Sequence, residues 1–206
     1  MNEKWEYEPI FYPRTYTMSL QDHADSFYAA SLRLIQGIAK GGVDKNTEGI
    51  AAVFLARHYL ELALKSVLEI GRALTRGGRY NDDAPKLVER IHPLQKLWKL
   101  VLRDAKPKFN LLSWNHYDFE FVERCISEFD SVDPYGFAFR YYGSGAEELQ
   151  ADFGRLEKSL LHIRSVLESM RVHLSIAWKA NDEGSEPEPP ESGEDEYSEP
   201  AEEDFE

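Results

Sequence analysis

Across RHYLELALKSVLEIG, residues 57–71, apolar residues recur at helical spacing on nearly every side, the pattern of a helix buried within a bundle. The same stretch carries Arg57, His58, Glu61 and Lys65. Ionisable groups on a buried helix are costly unless they are paired or put to use. Arg57, Glu61 and Lys65 stand at i, i+4 and i+8, so they form one stripe of alternating sign. Phe54, Leu60, Leu64 and Leu68 flank it on one side, and Leu55, Tyr59 and Leu62 on the other. This crowding predicts a stripe at least half buried, with His58 beside it. Two readings stay open: a satisfied polar seam between helices, or part of a site.

The helical period holds almost throughout, and no internal repeat is apparent. A first helix is expected from Ser19, an N-cap with Asp22 three positions on, to the break at Gly41-Gly42. The second starts near Asn46 or Thr47 and runs to about Thr75. Residues 76–85 read as a loop broken by Gly77-Gly78, with a short helical turn over Pro85–Arg90. HPLQKLWKLVLRDA reads as a helix with Pro93 at its first position and His92 as its cap. Another helix covers about Tyr117–Phe129. DSVDPYGFAFRYYGSG reads as turn and extended chain, with room for a short hairpin. In the last helix, expected over Ala146–Trp178, Leu156, Leu160, Ile163, Leu167, Met170, Leu174 and Ala177 alternate spacings of four and three. That is an a/d seam, which packs along a neighbouring helix or along its counterpart in a second protomer. The expected fold is all-α: a bundle of about five helices with a long C-terminal helix. Residues 1–18 form an aromatic N-terminal extension, 19–180 the bundle and 181–206 an acidic tail.

Charge changes this picture in one respect. The formal net charge of the 206 residues is −13, yet 13 acidic residues and no Lys or Arg lie between Asn181 and Glu206, so residues 1–180 are formally neutral. Within them, Lys65–Lys108 holds 11 basic and 5 acidic residues. A Glu-, Pro- and Ser-rich tail of this kind buries too little apolar surface to order itself, and is read as disordered. It serves solubility, docks a protein partner, or competes with nucleic acid for the basic segment. The single cysteine, Cys125, excludes an internal disulfide framework and suits a reducing compartment. With no basic start followed by an apolar run, and no apolar stretch of about 18 residues, the expectation is a cytoplasmic protein that does not enter the membrane.

The spacings exclude several chemistries. There is no Cys–His metal pattern, no Gly-rich phosphate loop and no nucleophilic serine elbow, so no metal and no cofactor is expected. Two segments offer partners for the charged stripe. RIHPLQKLW supplies His92 at a helix start, where the dipole favours the neutral imidazole. EFDSVDPYGFAFRYYG supplies Asp130, Asp133 and Arg140 among aromatic residues, a setting that suits stacking on a base, clasping a phosphate or a buried Asp–Arg clamp.

FLARHYLELALKSVLEIG, then HPLQKLW, DP, FRYYG and a long last helix resemble the HEPN superfamily of helical bundles over residues 20–178. The resemblance implies a setting in prokaryotic toxin–antitoxin or antiviral systems. Active members are metal-independent endoribonucleases whose signature is an Arg and a His with four to six residues between them, shared by two protomers. Arg155 and His162, in RLEKSLLH, match that spacing. Two turns of helix separate them, so both leave one face beside the a/d seam. His162 would serve as general base on a ribose 2′-hydroxyl and Arg155 would neutralise the phosphorane-like charge. Leu156 departs from the polar residue that usually follows the signature arginine. The expected partners are RNA, a second copy of the chain in a homodimer, and a protein docked through the acidic tail. The alternative is a non-catalytic module whose buried charges hold the fold.

Overall fold

The computed structural model describes residues 19–75, 88, 90–108, 116–135 and 151–183. The aromatic extension, the 76–85 loop, residues 136–150 with Arg140 among them, and the tail beyond residue 183 lie outside the described residues, while Asp130–Val132, expected as turn, continue the helix that starts at His116. Among the described residues the long elements are five α-helices: α1 (Leu20–Ala39), α2 (Lys45–Thr75), α3 (Leu94–Asp104), α4 (His116–Val132) and α5 (Phe153–Glu183). No strand occurs among the described residues.

Local chemistry sets the ends of α1. Ser19 and Asp22 form a reciprocal capping box: Asp22 N donates to Ser19 Oγ at 3.2 Å and Ser19 N donates to Asp22 Oδ2 at 2.9 Å. At the other end Gly41 takes a φ of 71°, and Gly42 N reaches back to the Gly37 carbonyl at 3.0 Å. This is the left-handed glycine stop that satisfies otherwise orphaned carbonyls.

The axis of the bundle is α2, which touches α1, α3 and α5. Ala52, Ala56, Leu60, Leu64 and Leu68 are fully enclosed, and the helix is covered on nearly all sides, as its sequence requires. Ala24, Tyr28, Ser31 and Ile35 form the inner stripe of α1. There the Ser31 hydroxyl donates to the Ala52 carbonyl at 2.9 Å, so the two backbones approach closely. Leu160, Ile163, Leu167, Met170 and Leu174 of the α5 seam are all buried within this same chain, against α1 and α2. The seam is spent inside the protomer. Burying each such side chain contributes roughly 1.5–3 kcal/mol.

Helix α3 is strongly two-sided. Leu94, Leu97, Trp98 and Val101 face the core, while Gln95, Lys96, Lys99 and Arg103 face outward. Phe119, Val122 and Ile126 of α4 are buried, with the Phe119 ring 6.0 Å from that of Trp98. The contact of α4 is with α3, and only lightly with α5.

Two expected helix starts move. Pro93, in an extended conformation with φ −62° and ψ 122°, is the N-cap of α3 and lends it no side-chain hydrogen bond. His92 is therefore not the cap. Instead Asp130 of α4 accepts from Leu94 N at 3.1 Å and from Gln95 N at 2.8 Å; a residue distant in sequence satisfies the orphan donors. Helix α5 begins at Phe153 rather than at Ala146, because Asp152 caps it: its Oδ1 accepts from Arg155 N at 3.0 Å. At its far end α5 runs past residue 180 to Glu183. The seam then lies within a helix of 31 residues, about 46 Å long.

Candidate functional site

The charged stripe of α2 becomes the centre of a buried knot. Arg57 is 2% exposed, Glu61 3% and Lys65 4%. Each Arg57 nitrogen has a partner. Its Nε donates to the Asp133 carbonyl at 2.9 Å, Nη1 donates to Glu61 Oε2 at 3.2 Å, and Nη2 donates to the His92 carbonyl at 3.0 Å. The Asp133 carboxylate lies 3.8 Å from Nε and that of Asp130 4.0 Å from Nη2. The other oxygen of Glu61, Oε1, accepts from Lys65 Nζ at 2.8 Å and meets His92 Nδ1 at 3.0 Å.

This geometry answers the question posed by the buried charges. Two of Arg57's three hydrogen bonds end on backbone carbonyls, one before α3 and one just after α4. The guanidinium thereby ties α2, the start of α3 and the end of α4 together, work that its rigid fork of donors suits. Desolvation pushes the Glu61 carboxyl up, but Lys65, followed by His92, outweighs it and holds the group below its ordinary range. The carboxylate therefore stays charged between its cations. The buried charges are paired, and their donors are spent on the fold. His92 carries the knot to the surface, with 49% of its side chain exposed.

His58 is not in this knot. One residue on from Arg57, its ring turns toward Phe27 of α1, edge-on at 4.3 Å, and stacks on Phe54 at 6.0 Å. A 100° step around the helix sends it to an aromatic neighbourhood.

Arg155 and His162 leave the flank of α5 that faces α4. Arg155 Nη2 meets Glu128 Oε1 at 3.0 Å, and His162 Nε2 meets Asp118 Oδ1 at 3.0 Å. The Phe121 ring stands edge-on to His162 at 4.8 Å. Since Glu128 follows Asp118 while Arg155 precedes His162, the two pairs are rungs between antiparallel helices. Between them lies Cys125, whose thiol burial pushes up. At the Arg155 end a cavity of about 280 Å³ opens over Val53, Phe129 and Leu156. Both signature residues reach solvent: the side chains are 70% and 44% exposed.

A second opening was not legible in the sequence. Between the start of α3 and the end of α4 lies a groove of about 460 Å³ that includes Gln95, Lys96, Lys99, Ser127, Ser131 and Tyr135. Lys96 and Lys99 recur at i and i+3 opposite the apolar stripe of α3, a signal for an outward basic face. Nothing local indicated that the α4 terminus would form the opposite wall. Among the described residues, no group of three or more His, Cys, Asp or Glu side chains is arranged to hold a metal ion, and no helix is long and apolar enough to cross a membrane. Compared with protein-family models, curated proteins and solved structures, this chain matches none.

Proposed function

We propose that this chain is a HEPN-like helical module of a prokaryotic toxin or antiviral defence system, which binds RNA in the cytoplasm without catalysing its cleavage. The observation that carries this reading is the burial of Arg57. Its side chain is 2% exposed and each of its three nitrogens donates a hydrogen bond within the chain, so this charge holds the fold and is closed to a substrate. The basic outer face of α3 supports a polyanionic partner. On this reading, induced expression in a bacterium gives accumulation without growth arrest, and sequencing of RNA ends finds no new termini.

A second reading, a metal-independent endoribonuclease, is favoured by the exposure of Arg155 and His162 on one flank of α5. Asp118 would orient the imidazole through Nε2, and the other ring nitrogen would take the proton of a 2′-hydroxyl. Arg155 would leave Glu128 to neutralise the charge on phosphorus. New RNA ends that vanish with His162→Ala would establish this reading and overturn the first.

A further inference from the structure

We propose that the groove between α3 and α4 is a binding site for single-stranded RNA, with Lys96 and Lys99 on its phosphates and Tyr135 stacked on a base. This rests on the RNA reading above and names the surface that serves it.

The lysines stand one helical turn apart on the outer face of α3, and both side chains are exposed. That spacing lets them meet neighbouring phosphates of one strand. Tyr135, just past the end of α4, is 62% exposed. An aromatic ring held in water beside two cations matches the combination used for unpaired bases, where stacking tolerates any sequence and the cations follow the backbone.

The one carboxylate in the groove wall does not oppose this. Both oxygens of Asp130 accept backbone N–H bonds from the first turn of α3, and Arg57 lies 4.0 Å away. Its charge is turned toward the positive helix terminus, and Lys96 and Lys99 outnumber it in the groove lining. Neutral polar groups complete the wall: the Gln95 amide donates to Ser127 Oγ at 3.2 Å, and the Ser131 hydroxyl donates to the Glu128 carbonyl at 2.7 Å.

The buried knot also places the groove. Arg57 grips the carbonyls of His92 and Asp133, the residues immediately before the wall residues Pro93 and Pro134. One side chain in the core therefore fixes both walls, and the strand meets a preformed surface, which lowers the ordering cost of binding. The groove falls within the size range of ligand sites, roughly 300–1,000 Å³. An acidic peptide would pair with the lysines but gains little from the exposed ring. The aromatic–cation combination therefore favours RNA.

The test is a fluorescence-anisotropy titration of the full chain with a labelled oligouridylate at two salt concentrations. Wild type is compared with Lys96→Ala/Lys99→Ala, Tyr135→Ala and Tyr135→Phe, and thermal melts check that each variant is folded. The lysine pair should weaken binding at least tenfold and reduce the salt slope by about 1.4, at about 0.7 per phosphate contact on a single strand. Tyr135→Ala should cost roughly 5- to 100-fold, and Tyr135→Phe should retain the affinity, since stacking needs the ring. RNA binding by wild type that none of the variants alters overturns the groove assignment and leaves the RNA reading in place. No binding by wild type overturns both. RNA binding that the lysine pair weakens while Tyr135→Ala leaves it unchanged would make the groove a plain polyanion surface with no stacked base, and would also overturn the proposal.

Discussion

Arg57 Nε donates to the carbonyl of Asp133 at 2.9 Å, so a side chain from the middle of α2 ends on the backbone 76 residues later. Breaking this network should be expensive. Glu61→Ala leaves Arg57 and Lys65 buried with less compensation, and the expected loss is about 3–5 kcal/mol, against 0–1 kcal/mol for an exposed pair. Urea unfolding measures it. A loss below about 1 kcal/mol would show that the stripe is not a coupled buried network.

The same carboxylate predicts an acid limb in the stability curve. Its folded pKa lies below the ordinary value of 4.5. Glu61 thus contributes stability that is fully present above about pH 4.5 and is lost as pH falls from there through the depressed folded value. Urea midpoints between about pH 5 and 3 should fall more steeply for wild type than for Glu61→Gln, which has no proton to take up. Parallel curves would show that Glu61 titrates alike in both states.

At Gly71, α2 and the end of α3 touch. A Cβ there would lie 2.7 Å from the Ala105 Cβ and 3.0 Å from its Cα. Alanine gains up to about 1 kcal/mol in helix propensity, but overpacking against backbone costs typically 1–3 kcal/mol. Gly71→Ala should therefore destabilise, and adding Ala105→Gly should recover part of the loss. Thermal melts of the two variants against wild type decide this, and a stabilised single mutant would show that the helices separate easily.

The a/d seam of α5 was expected to meet either a neighbouring helix or a second protomer, and in this chain it meets α1 and α2. Leu167 is 2% exposed. Leu167→Asp buries a charge in the core and should abolish the cooperative unfolding transition. Circular dichroism with light scattering checks it. A well-folded Leu167→Asp monomer from a wild-type dimer would show instead that the seam is an interface.

The acidic tail bears on RNA binding. Of the thirteen acidic residues between Asn181 and Glu206, eleven lie beyond α5, covalently linked to the body that presents Lys96 and Lys99. A polyanion on such a tether meets a basic surface at an effective concentration of roughly millimolar. Removing residues 184–206 should tighten RNA binding, most at low salt, where screening is weakest. Equal affinities of full-length and shortened chains at low salt would leave solubility or partner docking as the role of the tail.

Helical period, the Ser19–Asp22 cap, the Gly41 stop and the burial of Arg57, Glu61 and Lys65 could all be read from the chain, because each depends on residues within a few positions of one another. Periodicity reports which face of a helix is apolar, but not what covers it. So the partner of the α5 seam, the turn of His58 toward Phe27, and the pairing of Arg155 and His162 with carboxylates of α4 were decided by packing. The pieces of the knot were visible: His92, Asp130 and Asp133 stood out as partners offered to the stripe. Which atoms would meet was not, because a hydrogen bond between a guanidinium in one helix and carbonyls 35 and 76 residues away leaves no periodic trace in either segment. Asp130 shows the same division: its charge and its place near the end of α4 belong to the sequence, while its role as the cap of α3 exists only once the two helices are side by side.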